Sequence, residues 1–305
     1  MRLLSVFLLL LLVGCSTLQS SHTENVKAFA RSAKVLSVVP GELYSDISSY
    51  RHQLKLIESS TIYSSDKIVP RLNKLLEVKA QFDQNAAQIH QSALLIESYA
   101  ECLMALTDEG YQKQLGKEGD DLSLKLNAAI QSYNQSFQKS IPVNVGSFIG
   151  SVVTKIGSLK LRQLQKRYLK SFVDTGALVI NDVCDYFTST VAGSLENELS
   201  SLDNQFVNTM TTFYDNVYEY QKSQNINPYD YLKSYNPLYL DMKAKLELLH
   251  SLQQKMVAAM DRIKIAHEKL RLTVDLQQPT QMIEEIKQLY ASTAEVQTAF
   301  KKLKE

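Results

Sequence analysis

The chain has 305 residues, of which 45% are hydrophobic and 21% charged, and it carries a formal net charge of +1. That mixture excludes an intrinsically disordered chain, and the near-zero charge lacks the concentrated basic footprint that a nucleic-acid partner demands. Ten Gly and six Pro are few for this length, so long helices are expected rather than a turn-rich β fold.

The first element is apolar and short. Arg2 supplies a minimal positive region, and Leu3 to Val13 form an aliphatic run of about a dozen residues, the length of a secretory signal. A membrane-spanning helix needs about 20. The run ends in Leu12-Val13-Gly14-Cys15. Over about its first 20 residues the chain resembles a bacterial lipoprotein precursor, whose lipobox places two aliphatic or small residues and then Gly or Ala before the cleavage-point Cys. The resemblance implies that residues 1–14 are a signal peptide and that Cys15 is the lipidation site, with diacylglycerol on the thiol and an acyl chain such as palmitate on the new amino group. At about 0.8 kcal/mol per buried methylene, three chains make an effectively permanent anchor. In enterobacterial sorting an Asp after the lipidated Cys favours the inner membrane. Ser16 stands there instead, so by this resemblance the outer membrane is expected, with its periplasmic or surface face left open.

Residues 15–24 are rich in Ser and Thr and read as a tether reaching no more than roughly 30 Å. Residues 25–305 are expected to form one helical domain, with subdivision near 141–176 or 223–237. One helix is expected near Asn25 to Val39 and another from Glu42 to Ser59, separated by Pro40-Gly41. Pro70 suits the first turn of the next, whose alternate three- and four-residue steps give Leu72, Leu75, Lys79, Phe82, Ala86, Ile89, Ala93, Ile96, Ala100 and Leu103. The repeated Ala allows a partner helix to approach closely. Thr107 to Gly110 should end that helix, Gly116 and Gly119 mark a polar loop, and Asp120 or Asp121 cap a helix running to Ser140.

No proline interrupts Val143 to Asn227, and Val173 to Gly176 is the expected break. The apolar stretch 142–157, with Gly146 and Gly150, reads either as a membrane-inserting element or as a closely packed helix start. Two Asn-Pro steps, at Asn227-Pro228 and Asn236-Pro237, predict a helix end, a connection with one helical turn, and a new helix near Pro237. Its seam is Met242, Leu246, Leu249, Gln253, Met256, Met260, Ile263, His267 and Leu270. Pro279 should open a last helix through Ile286, Leu289, Val296 and Leu303. Seams of this kind in several helices define an all-α fold, an elongated antiparallel bundle of long helices.

Chemistry is sparse. Glu247 and His250 share a helix face, but di-iron bundles need a second such pair and the sequence has none. There is no G-x-S-x-G, H-E-x-x-H, C-x-x-C or Walker loop, so no enzyme, metal or cofactor is expected. Cys102 and Cys184 remain as a candidate disulfide or as two separate buried thiols. The run Lys160, Arg162, Lys166, Arg167 and Lys170 reads as a solvated face or as one facing anionic headgroups. Tyr214, Tyr218, Tyr220, Tyr229, Tyr231, Tyr235 and Tyr239 crowd one connection, either packing it down or forming a sticky partner surface.

Together these features point to a lipid-anchored, non-enzymatic structural or interaction protein of the cell envelope. Its expected partners are the membrane, through Cys15, and an envelope protein or polymer, with no nucleic acid. A membrane-active, pore-forming-like protein inserting 142–157 is the alternative.

Overall fold

The computed structural model describes residues 20–60, 65–107, 109–142, 145, 161–274 and 280–305. Cys15, and all of the stretch 142–157 except Pro142 and Val145, lie outside them. The described residues are helical, with no strand. In chain order the helices are α1 (Ser20–Ser60), α2 (Ser65–Thr107), α3 (Glu109–Phe137), α4 (Leu161–Tyr186), α5 (Ala192–Ser223), α6 (Pro228–Leu232), α7 (Asn236–Thr273) and α8 (Thr280–Lys304). A π turn, Phe187–Val191, joins α4 to α5 without a break, and a 3₁₀ turn, Lys233–Tyr235, leads into α7. Six long helices result, as an all-α bundle requires.

The seams are the buried faces. Every member of the α7 series from Met242 to Leu270 is buried, and so are Leu75, Ala86, Ile89, Ala93, Ile96, Ala100 and Leu103 on α2. Burying one large aliphatic side chain contributes about 1.5–3 kcal/mol, enough to override local preferences. Pro40 illustrates this. The sequence predicts a break between two helices here, yet α1 runs through it. Proline in a helix interior costs about 3 kcal/mol, and the buried Leu36, Val39, Leu43 and Ile47 flanking it offset that loss. Pro70 likewise lies inside α2, which starts at Ser65.

Other boundaries also differ from expectation. Helix α1 starts at Ser20, inside the stretch read as a tether. Gly116, Gly119 and both Asp residues lie within α3, which begins at Glu109. A Gly in a helix costs only about 1 kcal/mol, too little to enforce a loop. Val173 to Gly176 does not interrupt α4. The turn from α5 to α7 matches its prediction, with α6 as the single helical turn. Asn225, at φ 55°, takes the left-handed position after α5, where Ile226 N–H bonds Gln221 C=O and Asn225 N–H bonds Lys222 C=O. That is a Schellman cap. Gln138, at φ 51°, plays the same part after α3, and Asn134 then clamps the exit by donating to Ile141 C=O and accepting from Ile141 N–H, at 2.8 and 2.9 Å.

The chain divides into two compact units, whose boundaries fall inside helices. The first takes residues up to Lys34, Leu95–Asn181 and Arg262–Tyr290. Its core includes Phe29, Tyr99, Phe172 and His267. The Tyr99 ring stacks on Phe172 at 5.0 Å, and its hydroxyl lies 2.6 Å from His267 Nε2. Burial lowers the His267 pKa to about 3, so the ring is neutral and Nε2 is free to accept the phenol proton. Gly176 makes the arrangement possible, because a Cβ there would enter the space of the Tyr99 ring. Lys34 and Lys125 each bond Glu101 at 2.6 Å. Burial pushes the Glu101 carboxyl up, but the two lysines outweigh it and hold the group below its ordinary range.

The second unit takes Val35–Leu94, Asp182–Asp261 and Ala291–Glu305. In it, α1 meets α2 at Gly41–His90, Ser48–Asp83 and Glu58–Arg71, numbers that rise on one helix and fall on the other. The pair is antiparallel. Tyr44–Ser194 and Arg51–Glu198 rise together, so α1 and α5 run parallel. Lys304 on α8 reaches Glu42 and Asp46 on α1.

Candidate functional site

The connection from α5 to α7, within the second unit, gathers the tyrosines that the sequence singled out. The Schellman cap after α5 turns the chain. Asn227 then caps α6, its side chain accepting from Tyr229 N–H at 3.1 Å, with Pro228 following as a first helical residue should. These two caps place the rings of α6 and of the start of α7 beside those of α5.

Six rings form a continuous series by edge or tilted contacts. Phe206 meets Tyr239 at 5.1 Å, Tyr239 meets Tyr214 at 6.4 Å, and Tyr214 meets Phe213 at 5.9 Å. Phe213 meets Tyr235 at 4.9 Å, and Tyr235 meets Tyr231 at 5.6 Å. Tyr218 and Tyr229 form a separate edge contact at 6.2 Å, with Lys222 Nζ 5.8 Å from the Tyr218 ring centre. Aromatic pairs of this geometry contribute about 0.5–1.5 kcal/mol each beyond burial, so the surface is held in shape by its own ring contacts. The Tyr214 hydroxyl also donates to Asn236 Oδ1 at 3.1 Å.

Exposure separates the two readings of this cluster. Tyr229 is 66% exposed, Tyr220 54%, Tyr231 45% and Tyr239 37%, while Tyr214, Tyr218 and Tyr235 are half-buried. None of the seven is buried. Ile226 and Leu240, 52% and 63% exposed, extend the apolar surface. The phenol of Tyr235 is held above its ordinary pKa by its bond with Tyr231 and then by burial, and that of Tyr214 by burial and then by Tyr239. These two hydroxyls are therefore neutral donors and acceptors at physiological pH.

Phe206 and Phe213, which link the tyrosines into a series, are not among the residues that tyrosine density singles out. Their signal was the seven-residue spacing of Phe206, Phe213 and Tyr220 on one side of α5.

The other singled-out residues do not converge on chemistry. Glu247 lies 3.8 Å from Lys243, whereas His250 Nε2 bonds Asp203 at 2.8 Å. Among the described residues, no three His, Cys, Asp or Glu side chains come together as a metal site requires. Cys102 and Cys184 are buried thiols rather than the two halves of a disulfide. Of the basic run, Lys170 bonds Asp174 and the Arg271 carbonyl, and the side chains of 160–166 lie outside the described residues. Among the described residues no helix is long and apolar enough to cross a membrane.

No family model matches the sequence, and neither a curated protein nor a solved structure shows significant similarity to it.

Proposed function

We propose that the protein is a lipid-anchored interaction module of the bacterial cell envelope, held by Cys15 and binding an envelope protein or polymer through the aromatic turn between α5 and α7. The observation that carries the reading is the exposure of Tyr220, Tyr229, Tyr231 and Tyr239 around a connection whose entry is fixed by the cap of α5 and the Asn227 cap of α6. Large rigid rings with a polar edge gain contact area at little entropic cost, which is why tyrosine is enriched where proteins bind partners. The lipobox resemblance supports the anchor and the outer membrane as its address.

A Cys15→Ser protein should leave the membrane pellet, lose incorporation of labelled palmitate and stay folded. Retention of Cys15→Ser in the pellet after a high-salt wash would overturn the anchoring half of the proposal. Alanine at Tyr229 and Tyr231 should abolish envelope crosslinks without releasing the protein from the membrane, which tests the other half separately.

A further inference from the structure

A second feature of the second unit stands apart from the aromatic turn. A groove of about 440 Å³ runs between α1 and α2, with Gln205 of α5 at its edge. Arg51, His52 and Lys55 line it from α1, and Arg71, Lys74 and Lys79 from α2. Among the described residues, none that lines it is acidic. Three carboxylates just outside offset part of this charge: Glu198 pairs with Arg51, Glu58 with both Lys55 and Arg71, and Asp83 with Lys79. Among the described residues, five permanent cations against three anions leave a surplus before His52 is counted.

The floor is apolar. Leu75, Val78 and Phe82 line it, and the Arg51 guanidinium carbon sits 4.5 Å from the centre of the Phe82 ring. Among the described residues, three buried polar atoms around it also have no hydrogen-bond partner: His52 Nδ1, Arg51 Nε and Gln205 Oε1. A buried polar atom without a partner costs about 1–3 kcal/mol, so a ligand that supplied the missing bonds would recover that energy.

We infer that this groove binds a phosphorylated amphiphile, with its phosphate among Arg71, Lys74 and Lys55 and its apolar part on Leu75, Val78 and Phe82. A phosphate presents oxygens in several directions, matching donors that arrive from two antiparallel helices, and arginine and lysine are the side chains suited to it. Gln205 Oε1 suits a hydroxyl of the same ligand. An anionic phospholipid and a soluble aryl phosphate both carry this chemistry.

The test is calorimetric titration of the full chain, in an uncharged detergent, with dihexanoyl phosphatidylglycerol and separately with phenyl phosphate. Binding of one or both below about 1 mM is expected, and which one binds identifies the source. Inorganic phosphate, which lacks the apolar part, and dihexanoyl phosphatidylcholine, whose choline cancels the charge of its phosphate, should each bind at least about tenfold more weakly. Arg71→Gln with Lys74→Gln, both at exposed positions, should weaken binding about tenfold or more, and raising the salt on the unsubstituted chain should do likewise. The proposal is overturned if neither probe binds, if phosphatidylcholine or inorganic phosphate binds as tightly, or if affinity survives both the double substitution and high salt.

Discussion

Replacing Gly176 by alanine should damage the protein, although alanine is the better helix former. In a helix the change by itself favours folding by up to about 1 kcal/mol. At Gly176 the added Cβ would lie closer than 3.0 Å to Cε2, Cζ and Oη of Tyr99. The ring cannot swing clear, because it is fully buried, stacked on Phe172 and bonded to His267. Overpacking of this kind costs about 1–3 kcal/mol, and parting the Tyr99 hydroxyl from His267 leaves buried polar atoms unpaired at a further cost of about 1–3 kcal/mol. The net expectation is a loss of roughly 3 kcal/mol. Urea unfolding followed by circular dichroism measures it, and Gly193→Ala is the control. Among the described residues nothing lies within 4 Å of a Cβ at Gly193, so that change should stabilise by about 0.5–1 kcal/mol. In a Tyr99→Leu background Gly176→Ala should lose most of its penalty, since the obstructing hydroxyl and ring are gone. A Gly176→Ala protein as stable as the parent would refute the packing argument.

Three further outcomes are expected. His267 titrates near 6.5 when unfolded and near 3 when folded, so the unfolded chain binds the extra proton between those values. Its contribution is therefore complete above about pH 6.5 and falls by about 1.4 kcal/mol per pH unit below it; urea midpoints across this window should show a flatter slope for His267→Gln. Burial raises the Cys102 thiol pKa, so Cys102 should resist a thiol reagent in the native protein and react once urea unfolds it; rapid native labelling at Cys102 would contradict its burial. Asn134→Ala removes both bonds that clamp Ile141, and a loss of about 1–3 kcal/mol in urea unfolding is expected, against no change if the clamp is idle.

The architecture was legible because helical seams repeat. A spacing of three and four from Met242 to Leu270 identified nine positions on α7, all of them buried, including Gln253 and His267. Boundaries were less legible, because proline and glycine are local signals and burial is not. Pro40 stays helical because residues on both of its sides are in the core, and Gly176 marks the close approach of a ring from α2, a helix distant in sequence. At the aromatic turn, tyrosine density and the Asn-Pro steps identified the place and its form, but Phe206 and Phe213 joined the cluster only once α5 and α7 were set side by side. The basic groove was invisible for the same reason. Its cations lie on separate helices, with no run dense enough to notice in either.

The central claim, an anchored body that presents the aromatic turn to a partner, is tested most directly by a photo-crosslinking residue placed at Tyr229 in the full chain in living cells. Leu124 on α3, 65% exposed, is the reference position. A discrete adduct is expected from position 229, absent from position 124 and lost when Tyr218 and Tyr231 are changed to alanine. Equal adducts from both positions, or none from 229, would contradict the claim.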